Sequence, residues 1–262
     1  MYGTYIGGNR LLIQTKHAGT LIAPADEQSI IPQLMVEGQI DPSLTSFLVN
    51  HLTRGQIVVD IGATIGYFSL LMASLVGGKG KCLSYEADPY CYRYLTDNIF
   101  INHYQDRVTS HSLAPFSDDA PITLHTHNQW INEHAFKNPS HRYPPHFADT
   151  VEANEEIHGV SLDEHLYHLP YIDLIKIDVK GDELQTLMGL TQLVKDKIGT
   201  LLFSFNREDL HNDLPHFKEI LLLYQNYYGK SLFKIDPLGE PIPVDIQHVI
   251  EHSPNCTMIV AS

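Results

Sequence analysis

With 262 residues, 43% of them hydrophobic, the chain has enough apolar material for one large domain, which excludes a disordered or collagen-like reading. Its 17 Lys and Arg against 31 Asp and Glu leave a formal charge of −14, which repels phosphate backbones and argues against a nucleic-acid partner, although 16 histidines make that charge sensitive to mild acid. Cys82, Cys91 and Cys256 are too scattered for a disulfide framework or a metal knuckle, no apolar run approaches the roughly 20 residues of a membrane span, and Met1 to Tyr5 lack the basic and apolar regions of a signal peptide, so a cytoplasmic protein without membrane partners is expected.

Residues 1–55 read as an extension that packs on the main domain. Leu11–Thr15 and Thr20–Ala23 flank a polar turn and predict a hairpin. Ser29 is placed to cap a short helix carrying Ile30, Leu34 and Met35, which Gly38 ends. Asp41 and Pro42 read as an N-cap and first-turn proline ahead of the stripe Leu44, Phe47 and Leu48. These pieces serve either as packing over one sheet end or as cover for a substrate cleft.

The main domain, 56–262, starts with a buried-type strand over Ile57–Ile61, a glycine-bearing turn, and a helix over Tyr67–Val76 that Gly77 ends. A strand over Cys82–Tyr85, a helix over Pro89–Phe100 and a third strand over Arg107–Ser112 complete a βαβαβ half. Ile122–His125 predicts an extra short strand, and an insertion covers about 125–160, broken by Pro139, Pro144 and Pro145; its length suits a lid or binding element. Ser161 is expected to cap a helix through Leu166. Then follow a strand over Ile172–Ile177, one helix over Glu183–Leu193, a strand over Leu201–Phe205 and a helix over Leu214–Tyr227. Ser231–Ile235 and Thr257–Ala261 predict an antiparallel pair closing the sheet. The pattern predicts an α/β fold with a doubly wound, mostly parallel, seven-stranded Rossmann-like sheet.

The most informative stretch runs from Val58 to Phe68. Gly62 lets the chain turn from strand to helix without a Cβ clash, and Gly66 permits close approach of a ligand, so Ala63, Thr64, Tyr67 and Phe68 should border a cofactor at the carboxyl end of the sheet. The spacing is Gly-x-x-x-Gly rather than the Gly-x-Gly-x-x-Gly of a pyrophosphate binder, and there is no Gly-Lys-Ser/Thr phosphate loop. Asp60 would repel a pyrophosphate but favour the sulfonium and amino groups of S-adenosylmethionine. Glu86, ending the second strand, can accept bonds from both hydroxyls of a ribose. Ala87, Asp88 and Tyr90 would border the adenosine, and Ser112, Leu113 and Ala114 its adenine edge.

At these residues the chain resembles the FkbM family of methyltransferases, over approximately Gln56 to Phe205. The resemblance rests on Val59-Asp60-Ile61-Gly62-Ala63-Thr64-Ile65-Gly66-Tyr67-Phe68-Ser69 and on Ile175-Lys176-Ile177-Asp178-Val179-Lys180-Gly181-Asp182-Glu183-Leu184, with Glu86 between them. It implies a class I methyltransferase using S-adenosyl-L-methionine, most often for O-methylation of a hydroxyl on a sugar, glycan or polyketide-like natural product. Thr64 stands where the family usually has Asn, Lys180 where Glu is common, and Asn206-Arg207 follow the fifth strand where an acidic residue is usual.

Methyl transfer needs an acceptor aligned behind the sulfonium methyl, and a hydroxyl acceptor must also lose a proton. Asp178, at the end of the fourth strand, is the leading base; it can instead orient cofactor or acceptor by hydrogen bonds. His127 and His134 are further candidate bases, Trp130 and Tyr143 can stack on a sugar face, and Arg142 can attract a carboxylate. Lys176, Lys180, Asn206 and Arg207 are the remaining acceptor-side candidates; against that role, Lys176 also reads as a solvent-edge or helix-covering lysine, and Glu183 either meets the cleft or stabilises its helix. His125 and His127 alternate on one strand face, but nothing adjacent completes a metal site, so no metal is expected. An N-methyltransferase and a non-catalytic cofactor-binding protein stay open as alternatives, as does a homodimer through the extension or an exposed helix.

Overall fold

The computed structural model describes residues 2–127, 135–136, 152–179, 181–210, 213–253 and 255–261. In chain order the extension holds strands β1 (Gly3–Gly7), β2 (Arg10–Gln14) and β3 (Thr20–Pro24) and helices α1 (Ile31–Glu37) and α2 (Pro42–His51). The first alternating half is β4 (Ile57–Ile61), α3 (Tyr67–Val76), β5 (Lys81–Tyr85), α4 (Pro89–Ile101) and β6 (Val108–His111). Short strands β7 (Ala114–Phe116), β8 (Pro121–His127), β9 (Ala135–Phe136) and β10 (Glu152–Ser161) come next. The second half runs α5 (Leu162–His165), β11 (Ile172–Ile177), α6 (Glu183–Met188), α7 (Thr191–Asp196), β12 (Ile198–Asn206), α8 (Arg207–Leu210), α9 (Leu214–Asn226), β13 (Ser231–Ile235), β14 (Pro241–Pro243), α10 (Ile246–His252) and β15 (Asn255–Ala261).

The main sheet has the order β14-β13-β15-β12-β11-β4-β5-β6. The five consecutive strands β12, β11, β4, β5 and β6, which reach the edge at β6, are parallel, whereas β15 lies antiparallel between β12 and β13. The expected seven-stranded sheet is thus corrected to eight strands of mixed direction. The eighth, β14, pairs antiparallel with β13 through Pro241 to Pro243, a composition that hides a strand in sequence but is tolerated at a sheet edge. Alternation along the central strands fills two cores: Val58, Leu174 and Leu202 enter one cluster, and Val59, Ile175 and Leu201 the other. Chain order runs one way from β4 to β6 and the other way from β11 to β12, so the connections diverge between β4 and β11. That is where an open parallel sheet leaves a crevice beyond its carboxyl edge.

Two amides hold the extension on this frame. Asn98 Oδ1 accepts from the Ile22 backbone N–H (2.6 Å) and its Nδ2 donates to the Ile22 carbonyl (2.9 Å), while Asn102 makes the same pair of bonds to Thr20 (2.9 and 2.7 Å). Residues four apart on a helix rise about 6 Å, close to the two-residue step of a strand, so α4 reads the free edge of β3 as a sheet neighbour would.

Other expectations need local correction. Glu27, not Ser29, satisfies the start of α1: its carboxylate accepts from the backbone N–H groups of Ser29, Ile30 and Ile31. Asp41 does cap α2, accepting from Leu44 N at 3.0 Å. Ser161 precedes α5, but its hydroxyl donates to the Gly189 carbonyl instead of capping. The helix expected over Glu183–Leu193 breaks at Gly189, where an added Cβ would collide with the Phe116 carbonyl oxygen. The insertion is strand at its flanks, with β8 antiparallel to β10. Among the described residues no helix is long and apolar enough to cross a membrane.

Candidate functional site

A cavity of about 190 Å³ opens beyond the carboxyl ends of β4, β5 and β11. The turn after β4 forms its floor. Gly62 has φ +74°, and a Cβ there would strike the Asp178 carbonyl oxygen at the end of β11, so glycine is required by conformation and by contact with the neighbouring strand. Gly62→Ala should therefore cost at least about 2 kcal/mol in urea unfolding; a variant as stable as the parent would contradict this contact. Gly66, at φ +97°, caps α3, and its missing side chain makes room for Leu95, whose Cδ1 would lie 2.8 Å from a Cβ. Its expected role in admitting a ligand is corrected: the close neighbour is a core leucine.

Glu86 follows β5 and lines the cavity while only 8% exposed. Its Oε2 accepts from Thr64 N at 2.7 Å and its Oε1 from Asp88 N at 2.8 Å. Burial pushes the carboxyl up to about 7, against the opposing effect of those two N–H donors. Each oxygen keeps a further lone pair for a ligand. Ala63, Thr64, Tyr67, Phe68, Ala87, Asp88, Leu113, Ala114 and Asp178 line the same cavity. Tyr90 and Ser112 do not: the Tyr90 hydroxyl meets Tyr94 (3.1 Å), and Ser112 is exposed beyond the end of β6.

Asp60 is the principal correction. It has no exposed surface and does not line the cavity. Its Oδ2 accepts from Ser69 Oγ (2.6 Å) and its Oδ1 from Lys176 Nζ (3.0 Å), the residue directly across the β4–β11 ladder. Ser84 Oγ in turn donates to Ser69 Oγ (2.9 Å), so the carboxylate ends a buried polar chain. Lys176 is what reaches the cavity, although only 2% exposed; its ammonium lies 4.0 Å from Asp178 Oδ2 and 4.9 Å from the centre of the Phe68 ring. Burial alone would depress the lysine, but Asp60, Asp178 and Glu86 outweigh it and hold the ammonium above its ordinary range. The solvent-edge reading of Lys176 is overturned by this burial.

Asn206 and Arg207 are not part of the cavity. Asn206 bonds Asp209 and the Glu208 N–H, and Arg207 donates to the Glu251 carbonyl, which ties both to α8 and α10. Glu183 is buried behind the site, accepting from Ser204 Oγ and Gly181 N, and burial pushes it up to about 8. The backbone of His127 ends β8 opposite Glu152. His134, Trp130, Arg142, Tyr143 and Lys180 lie outside the described residues. Among the described residues no three metal-ligating side chains are grouped for an ion. Wall residues without a local sequence signal are Ser29, Ile30 and Ile40 from the extension, and Tyr85, Cys91 and Pro115 from the main domain. Only the tertiary packing of the extension reveals the first three.

The sequence model of one family, described as "Methyltransferase FkbM domain", matches residues 60–230. Methyltransferase sdnD of Sordaria araneosa is 26% identical in an alignment of 166 residues that covers 55% of this chain and 64% of that protein. A tRNA(Phe) (4-demethylwyosine(37)-C(7)) aminocarboxypropyltransferase of Pyrococcus horikoshii is 40% identical over 58 residues, 22% of this chain and 20% of that protein. The chain thus spans a fifth of one relative and slightly under two thirds of the other. Among solved structures, methyltransferase FkbM from Methylobacillus flagellatus KT aligns over 80% of this chain and 44% of its own, at 16% identity and a TM-score of 0.48.

Proposed function

Because the chain belongs to the FkbM methyltransferase family, we propose that it is an S-adenosyl-L-methionine-dependent methyltransferase acting on a hydroxyl of a sugar, glycan or polyketide-like natural product. The observation that carries the reading is Glu86, a carboxylate fixed by two backbone N–H donors on the wall of a cavity at the switch between β4 and β11. The residues present fit the cofactor: Glu86 offers free lone pairs to a ribose diol, and Leu113, Ala114 and Pro115 offer an apolar seat to a base. When bound, the cofactor supplies an electrophilic methyl on a sulfonium sulfur. The β5–β6 side of the cavity then holds the nucleoside, and the β11 side, with Lys176 and Asp178, faces the reacting end. Asp178, with its side chain 49% exposed, takes the proton of the acceptor hydroxyl. A small acceptor is favoured by the charge of −14, which disfavours polyanions.

Isothermal titration should show binding of S-adenosylmethionine or its demethylated product with a dissociation constant on the order of micromolar. Absence of both would sink the reading. The same titration has a pH signature. The folded protein holds Glu86 at about 7, and ribose hydroxyls donating to the carboxylate favour its ionised form, so binding lowers that value and releases a proton. Near pH 7 the release should be about half a proton per cofactor, and affinity should rise with pH up to about 7 and then level. Titrations in phosphate and in imidazole buffer would then differ in heat; equal heats would reject Glu86 as the ribose ligand.

A further inference from the structure

The ammonium of Lys176 has three N–H donors. One is taken by Asp60 Oδ1 at 3.0 Å, and a second faces the Gly62 carbonyl at 3.5 Å. Asp178 Oδ2 lies 4.0 Å away, beyond a direct hydrogen bond. That separation suits one intervening oxygen: an atom about 2.8 Å from each group subtends about 90° between them. Both side chains line the cavity, and the buried Asp60 fixes the lysine from behind.

We propose that Lys176 and Asp178 together form the seat of the acceptor oxygen, and that this seat selects hydroxyl over amine acceptors. The proposal rests on the methyltransferase reading above and deepens it by assigning Lys176 a catalytic role. A hydroxyl satisfies the seat completely. Its O–H donates to Asp178 Oδ2, one lone pair accepts from Lys176 Nζ, and the second lone pair is left to attack. As the oxygen–carbon bond forms, the O–H bond breaks and its proton passes to Asp178, while the carbon–sulfur bond breaks and its electron pair stays on sulfur. The fixed ammonium stabilises the negative charge developing on oxygen without having to reorient. An amine fails the same count. A neutral amine nitrogen has a single lone pair, and accepting from Lys176 removes it from attack; a protonated one has none and would sit beside a second ammonium.

Two experiments test the seat. A crystal structure with S-adenosylhomocysteine should show an ordered water within hydrogen-bond distance of both Lys176 Nζ and Asp178 Oδ2. A lysine turned away from the cavity, or closed directly onto Asp178, would overturn the proposal. Secondly, methyl-¹³C cofactor is incubated with extract of the producing cells, and the labelled carbon is classified by NMR as bound to oxygen or nitrogen. Wild-type protein should label oxygen only. The paired variant Asp60→Asn/Lys176→Met, which leaves no buried charge behind, should fold, keep cofactor affinity within about threefold and lose transfer by about 100-fold or more. Label on nitrogen, label nowhere while the cofactor binds, or undiminished transfer by the paired variant would each refute the seat. Calorimetry on the wild type comes first: failure to bind the cofactor there sinks the methyltransferase reading itself and is told apart from failure of the seat. Should the paired variant not fold, the water position in the wild-type crystal still decides.

Discussion

Lys176→Met should lose about 3–5 kcal/mol of unfolding free energy, a large part of the 5–15 kcal/mol that stabilises an ordinary domain. The lysine is 2% exposed and Asp60 has no exposure at all. Their 3.0 Å contact is the one cationic interaction the aspartate has in the described structure. Methionine fills the volume over Phe68 well enough, so the loss is not one of packing. It comes from a carboxylate left in the sheet interior with the Ser69 hydroxyl as its partner. A charge so placed must be borne uncompensated or neutralised by a proton, and either costs free energy. Replacing both partners removes the cause: Asp60→Asn/Lys176→Met should recover most of the loss, to within about 1–2 kcal/mol of the parent. Urea denaturation with unchanged m-values is the measurement. A single variant within about 1 kcal/mol of wild type would show that the pair is far better solvated than its burial implies.

The same pair explains where reading the sequence stops. Strands β4, β11 and β13 and helix α3 are legible to their end residues, because mainly apolar runs are bounded by glycine or by an acid just past the strand. Gly62, Glu86 and Asp178 also stand where their motif positions predict, since each ends a parallel strand at one sheet edge. Asp60 stands two residues before Gly62, inside the strand, and its partner lies 116 residues away. No local pattern tells that the register puts Lys176 directly opposite it, so an apparent cofactor carboxylate is in fact the counter-ion of a lysine. Gly66 likewise owes its identity to Leu95 on α4, and Gly189 to the backbone of β7. The contribution of the extension to the cavity depends on Asn98 and Asn102 gripping β3, a pairing of helix and strand repeats that gains meaning once the two are adjacent. β14 is missed for the opposite reason, because its local signal of two prolines points away from a strand.

Asp178→Asn should lower turnover by about 10²- to 10⁴-fold while leaving cofactor affinity within a few-fold. The change keeps the shape of the side chain and removes its capacity to accept a proton. Its stability cost should be small, within about 0.5 kcal/mol, because the side chain is half exposed and the backbone bond from Asp178 N to the Ile61 carbonyl (3.0 Å) is untouched. The expected split between binding and turnover is the informative part. If Asp178 merely oriented the cofactor, asparagine would weaken affinity and turnover together, since uniform binding is lost. If it takes the hydroxyl proton, the deficit belongs to the chemical step alone. It should then shrink as the acceptor hydroxyl becomes more acidic, because an already ionised oxygen needs no base but still needs the ammonium of Lys176. A phenolic or enolic acceptor would therefore rescue Asp178→Asn and leave Asp60→Asn/Lys176→Met unrescued. Equal rescue of both variants, or full activity of Asp178→Asn with an alcohol, would remove Asp178 from the proton transfer and return the search for a base to other groups around the cleft.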